Sequence, residues 1–184
     1  MKKVVLILAV ALISSMTVTA QEINWVTFEE ALELQKKKPK KIMMDVYTTW
    51  CGPCKKLDKY TFHNEDVVKY VNKNYYAVKF NAEGNSVVNY KGKEYTNPNY
   101  KEELKNRRNG GHQLAGVLGI RAFPTIVYFD EQGEKIQPIS GYMKPQQIEL
   151  YLKLFHTDDY KDIKTQEEFN TYYKAFVPKF KETM

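Results

Sequence analysis

Trp50-Cys51-Gly52-Pro53-Cys54-Lys55 is the stretch on which the reading of this chain turns. Cys51 and Cys54 are its only cysteines. Three residues apart, they close almost no loop, so a disulfide between them would stabilise little. Chemistry explains the pair better than stability does. Upstream, Ile42-Met43-Met44-Asp45-Val46-Tyr47 has the short, mostly apolar pattern of a buried strand. Downstream, Pro53 suits a first helical turn, and the helix is expected to run to about Phe62. Cys51 therefore falls where a strand ends and a helix begins. Unpaired N–H groups and the positive end of the helix dipole favour an anion there, and Lys55 and Lys56 add positive potential. A thiolate, not a thiol, attacks a disulfide. Cys54 lies one turn on, on the same face, where it can resolve a mixed intermediate. Cys51 is thus the expected accessible nucleophile, with a pKa below the free value of about 8.5, and Cys54 the shielded partner.

Half of a zinc site is the competing reading of C-x-x-C, and it needs two more ligands. No further Cys exists, and His63, His112 and His156 stand singly without ligand spacing. No metal site is expected. Each His reads as a surface or cap residue.

Outward from this run, strands and helices alternate. Thr27-Phe28-Glu29-Glu30 has capping-box spacing and opens a helix over about 28–37. Asn64 is an N-cap for a helix carrying Val67, Val68 and Val71, and Tyr75 to Asn81 alternates like a strand. Residues 82–111 are rich in Gly and Asn. Within them Lys91-Gly92 suggests a small hairpin, read as loops outside the core that reach the active-site edge, either to bias which clients reach Cys51 or as a tolerated surface elaboration. A helix is expected at His112 to Leu118, a strand at Thr125 to Phe129, its hairpin partner at Lys135 to Ser140, and a helix at Pro145 to Phe155. Thr165-Gln166-Glu167-Glu168 is a second capping box. It opens a last helix, in which Phe169, Tyr172, Tyr173, Phe176 and Phe180 form a face for docking onto the domain. The order argues an α/β fold, a central mixed sheet with helices on its faces.

Lys2 and Lys3, the apolar run Val4 to Ile13 and small residues up to Ala20 have the order of a signal peptide over residues 1–20. The apolar run is only about half of the ~20 residues a membrane-spanning helix needs, so no stable membrane insertion is expected. The remaining residues, 21–184, suffice for one domain. The whole chain carries a formal charge of +6, and without Lys2 and Lys3 it carries +4. A surplus this small, with no basic stretch interleaved with aromatics, reads as solubility and not as nucleic-acid binding. The densest run, Lys36-Lys37-Lys38-Pro39-Lys40-Lys41, reads as a solvated face at a helix end.

Four features together resemble the thioredoxin family: the run Trp50 to Lys55, Asp45 six residues before Cys51, Lys79 in Val78-Lys79-Phe80-Asn81, and Phe123-Pro124-Thr125. The likeness covers roughly 40–82 and 112–155. It implies the thioredoxin fold, with an inserted hairpin or loop region at about 83–111 and a C-terminal helical extension at about 156–184. It implies a thiol–disulfide oxidoreductase needing no metal or organic cofactor, with Cys51 and Cys54 as the redox couple. Asp45 would be a buried acid that moves the proton of Cys54 through water, tuned by Lys79. Trp50, Gly52, Pro53, Phe123 and a cis-Pro124 would form the substrate-binding rim, with Phe123 pairing its backbone to a client strand. Cys54 to Phe62, with Asp66-Val67 and no Pro inside the helix, is most similar to the C-terminal periplasmic domain of the transmembrane disulfide reductase. The implied partners are exported proteins with disulfides and a redox donor protein, and the implied location is periplasmic or extracellular. Gly-Pro between the cysteines is the dipeptide of strongly reducing members, which favours reduction. An oxidant of the same fold, or a non-catalytic binding module, are the alternatives.

Overall fold

The computed structural model describes residues 22–182. The expected signal peptide, residues 1–20, lies outside them. The strands are β1 (Trp25–Val26), β2 (Lys41–Tyr47), β3 (Tyr75–Asn81), β4 (Val88–Tyr90), β5 (Lys93–Tyr95), β6 (Thr125–Phe129) and β7 (Lys135–Ser140). Five of them form one sheet in the order β1-β3-β2-β6-β7, and β4 pairs with β5 as a separate hairpin. β2 runs parallel to β3 and antiparallel to β6, so the sheet is mixed, as the sequence pattern required. The two-residue β1 has no period to read and was not anticipated.

The helices are α1 (Phe28–Lys37), α2 (Gly52–Leu57), α3 (Glu65–Asn74), α4 (Gln113–Leu118), α5 (Pro145–His156) and α6 (Gln166–Ala175). Thr27 caps α1 in a capping box, Asn64 caps α3, and Thr165 closes the second capping box at α6. The helix at the cysteines departs from the expected single α-helix. α2 gives way to a π-helical turn over Asp58–Phe62.

Side-chain alternation sorts the sheet into two faces. Met43, Tyr75, Ala77, Ile126 and Tyr128 meet Leu57, Val67, Val71, Ile148 and Leu152 from the helical elements that follow the cysteines and from α5. Ile42, Met44, Val46, Val78, Phe80, Val127 and Phe129 meet Phe28 and Ala31 of α1 and Leu114 and Leu118 of α4. The second face also contains Val88, Tyr90 and Tyr95. The hairpin of residues 82–111 is therefore part of the core, against the expectation of a loop elaboration outside it. Tyr90 packs on Phe28 and Phe129 with centroids 5.2 and 6.2 Å away, and its hydroxyl donates to the Gly133 carbonyl.

The C-terminal extension docks on the first face through Phe169, Tyr172, Phe176 and Phe180, whereas Tyr173 is exposed. Two buried charges secure this region. Glu149 accepts from the backbone N–H groups of Lys179 and Phe180. Lys41 is only 2% exposed and pairs with Glu131 at 2.7 Å and Asp158 at 2.9 Å. Lys41 thus corrects the reading of its lysine run as a uniformly solvated face.

Candidate active site

β2 ends at Tyr47, and three residues later Trp50 leads into α2. Cys51 is the N-cap of α2 in extended backbone conformation, and its Sγ accepts from the Cys54 N–H at 3.1 Å. Cys51 and Cys54 are joined by a disulfide, with Cα atoms 5.3 Å apart. Exposure does not separate the two: Cys51 is 2% exposed and Cys54 6%. What separates them is the space each faces. Cys54 lines a cavity of about 250 Å³ on the sheet side, together with Asp45, Thr48, Asp58 and Lys79. Cys51 lines an outer groove of about 550 Å³ with Trp50, Pro53 and Phe123.

Strand alternation explains the inner cavity. Met43 and Asp45 share one face of β2, and Ala77 and Lys79 share the same face of β3. Asp45 and Lys79 are register partners, so a buried acid stands beside a lysine beneath α2. Asp45 is 2% exposed, and its Oδ1 has no hydrogen-bond partner among the described residues. Burial pushes its carboxyl up to about 7; the Lys79 charge pulls it down and the Asp58 charge pushes it further up. A carboxyl with that value exchanges protons near neutrality, the requirement for a general acid–base group. The cavity is polar and roomy enough for water to link it to Cys54.

Asp58 is the residue that sequence reasoning missed. It lies at the first position of the π-helical turn, where its carboxylate pairs with the Lys79 ammonium. That ammonium also lies over the rings of Trp25, at 5.1 Å, and Tyr47, at 5.8 Å. Lys79 is thus fixed between an acid on the helix and the buried acid on β2. A π-helical turn beside redox cysteines was the only available signal, since such turns recur at functional sites, and it cannot be read from residue types.

On the outer side, the Phe123–Pro124 peptide bond is cis, and Pro124 is buried at the start of β6. Phe123 meets Trp50 edge to face at 6.3 Å. The Trp50 indole N–H donates to Glu83 at 2.7 Å, and the Arg108 guanidinium lies 4.7 Å above the ring. Gly52 and Pro53 are exposed at the rim. The structure thereby gathers Trp50, Gly52, Pro53 and Phe123 in the groove beside Cys51, with the buried Pro124 next to Phe123 in the chain, and Asp45 and Lys79 in the cavity that Cys54 lines. His112 is a buried N-cap of α4, and His63 and His156 are exposed, as cap and surface readings required. Among the described residues, no group of three or more His, Cys, Asp or Glu could hold a metal ion.

Residues 28–156 match the family described as Thioredoxin-like domain. The thiol:disulfide interchange protein DsbD of Pectobacterium atrosepticum is 26% identical over 121 residues, which is 65% of this chain and 17% of DsbD. The chain therefore spans less than a fifth of that relative. The thiol-disulfide oxidoreductase ResA of Bacillus thuringiensis is 27% identical over 122 residues, 66% of this chain and 67% of ResA. Two solved structures show the same fold. A thioredoxin-fold protein from Helicobacter pylori superposes with a TM-score of 0.53 at 20% identity, over 74% of this chain and 81% of the other. A thioredoxin from Thermus thermophilus does so with a TM-score of 0.52 at 14% identity, over 73% and 87%.

Proposed function

The chain belongs to the thioredoxin-like domain family, and from that premise we propose that it is an exported thiol–disulfide oxidoreductase, which reduces or exchanges disulfides of exported proteins through Cys51 and Cys54. The observation that carries this reading is the shared inner cavity: Cys54 and a buried Asp45 whose carboxyl is pushed up to about 7 open into the same space.

The reaction starts from the dithiol form. The Cys51 thiolate attacks one sulfur of a client disulfide. A Cys51–client bond forms, the client S–S bond breaks, and the first client thiolate leaves and is protonated. Asp45 as carboxylate takes the Cys54 proton through the cavity. The Cys54 thiolate attacks Cys51 Sγ, and the second client thiolate leaves and is protonated from solvent, to which Asp45 returns the Cys54 proton. The client gains two electrons and two protons, and the protein is left with the Cys51–Cys54 disulfide. A donor dithiol protein, such as a membrane disulfide reductase, regenerates it. Trp50 and Phe123 give the entering segment an apolar contact, and Pro124, lacking an N–H, leaves the loop free to receive an extended strand. The charged start and apolar run of residues 1–20 support export.

Single-turnover reduction of a protein disulfide tests the reading. The wild-type dithiol should react. Cys51→Ser should not, and Cys54→Ser should stall as a mixed disulfide on Cys51. An inert wild type, or a client trapped on Cys54, overturns it. Alkylation of thiols in intact cells checks direction: a reductase is held mainly as the dithiol, an oxidant as the disulfide. Mass spectrometry should find Gln21, or a residue near it, as the N-terminus of the native protein.

A further inference from the structure

The segment between β3 and α4 supplies the outer groove with a charge that the sequence reading did not assign. Arg108 stands over Trp50, and Arg121 lines the same groove from the loop before Phe123. Both are exposed. Among the described residues, neither forms an ion pair with a carboxylate. The one acid in the groove wall, Glu83, already accepts at Oε2 from the Trp50 indole N–H and the Asn109 backbone N–H. The groove beside Cys51 therefore has an aromatic wall and a surplus of positive charge, two guanidinium groups without a carboxylate partner against the one carboxylate of Glu83.

The segment that carries Arg108 is held in place. The Thr49 hydroxyl donates to the Lys105 carbonyl at 2.7 Å, which ties the segment to the residue preceding Trp50. The Asn109 side chain and the Lys101 backbone exchange two hydrogen bonds, and the Asn97 amide donates to the Gly110 carbonyl at 2.6 Å. A segment anchored before the partner arrives loses less entropy on binding. A surplus of one charge at the mouth of a groove acts on encounter and on the choice of partner.

We infer that Arg108 and Arg121 make this groove selective for client disulfides flanked by acidic side chains, in an extended segment whose Asp or Glu lies next to the reacting cysteine. The inference rests on the oxidoreductase reading and names the client chemistry of that site.

The test uses reduced full-length protein freed of reductant and three synthetic disulfide peptides of one sequence, with Asp, Ser or Lys beside the cysteines. Each rate is divided by the same protein's rate with the Ser peptide, so that a changed Cys51 reactivity cancels. Wild type should favour the Asp over the Lys peptide by about tenfold at low salt, and the ratio should shrink severalfold in half-molar salt as the charges are screened. R108Q/R121Q should bring the ratio close to one. R108K/R121K, which keeps the charge, should retain most of it. A wild-type ratio near one, or a ratio untouched in R108Q/R121Q, overturns the inference and leaves the oxidoreductase reading intact. Failure of reduced wild type to react with any of the three peptides overturns both.

Discussion

Lys79 is the register partner of Asp45 across β2 and β3, yet its ammonium pairs with Asp58 on the helix. The buried acid therefore feels two opposed charges. Lys79 lowers its proton affinity and Asp58 raises it, and burial outweighs both.

Removing either charge should move the acid limb of the activity profile, in opposite directions. Lys79→Met deletes the stabilising cation, so the Asp45 pKa rises and the resolving step needs a higher pH. Asp58→Asn deletes the repelling anion, so the Asp45 pKa falls and the limb moves to lower pH. Titration of the Asp45 carboxyl carbon by NMR in the disulfide form reads the shift without turnover. Two shifts of the same sign would show that Asp58 and Lys79 act by structure and not by charge.

The same acid makes stability depend on pH. An unfolded Asp titrates near 3.9, and the folded Asp45 at about 7. Between those values the folded protein holds a proton that the unfolded chain has released. Stability from this group is therefore greatest at low pH, falls as pH rises from about 4 to 7, and is level above. The full span is worth roughly 4 kcal/mol, as an upper bound. Asp45→Asn removes the dependence. It should unfold at higher denaturant than wild type at pH 8 and at nearly the same concentration at pH 4. Activity should move the other way, with the resolving step slowed by about 10²-fold at pH 7, where a general base is lost. A denaturation midpoint difference independent of pH would refute this account.

The cysteines were legible from a local pattern, a short pair at a strand end and helix start, whereas Asp45, Lys79 and the cis-proline loop were legible only through the resemblance to the thioredoxin family. Asp58 was not, because its role depends on a contact with Lys79 21 residues away and on a local change of helix pitch. Arg108 was hidden for a similar reason, since only the fold of residues 83–111 brings it over Trp50. Lys41 read as one more solvated lysine because its run is basic throughout. Its burial follows from its place at the start of the central strand, which residue type alone does not reveal.

The hairpin was misread because β4 and β5 are only three residues each and sit among Gly and Asn. Tyr90 tests the correction. Its ring packs against both Phe28 and Phe129, which also touch each other at 5.0 Å, and its hydroxyl donates to the Gly133 carbonyl. Tyr90→Ala should cost about 3–5 kcal/mol, the range for truncating a buried aromatic. Exchange of residues 86–108 for a short Gly-Ser linker should expose Phe28 and Phe129 and abolish the cooperative unfolding transition. A variant that melts like wild type would return the hairpin to the status of surface elaboration.

At the far end of the chain, Glu149 should be the residue that holds the C-terminal tail. Its side chain is fully buried on α5. One carboxylate oxygen accepts from the N–H groups of Lys179 and Phe180, each at 2.7 Å, and the other pairs with Lys153. The Lys153 ammonium in turn lies over the rings of Phe176 and Phe180, so Glu149 links the backbone of the tail to its aromatic contacts, while Asp66 accepts from the Lys181 N–H beyond them. Hydrogen bonds to a charged group are worth about 1.5–3 kcal/mol each, and removing one partner of a buried ion pair about 3–5 kcal/mol. Glu149→Gln keeps the shape and one acceptor oxygen but loses the charge. It should cost less than Glu149→Ala, which strands both the lysine and the two backbone donors. Hydrogen exchange separates a local from a global effect: the amides of Lys179 and Phe180 should lose protection in both variants, while those of β2 and β3 keep it in Glu149→Gln. If the tail amides stay protected in Glu149→Ala, the aromatic contacts of Phe176 and Phe180 and the bonds of Lys181 to Asn64 and Asp66 hold the tail, and the buried carboxylate has no part in docking it.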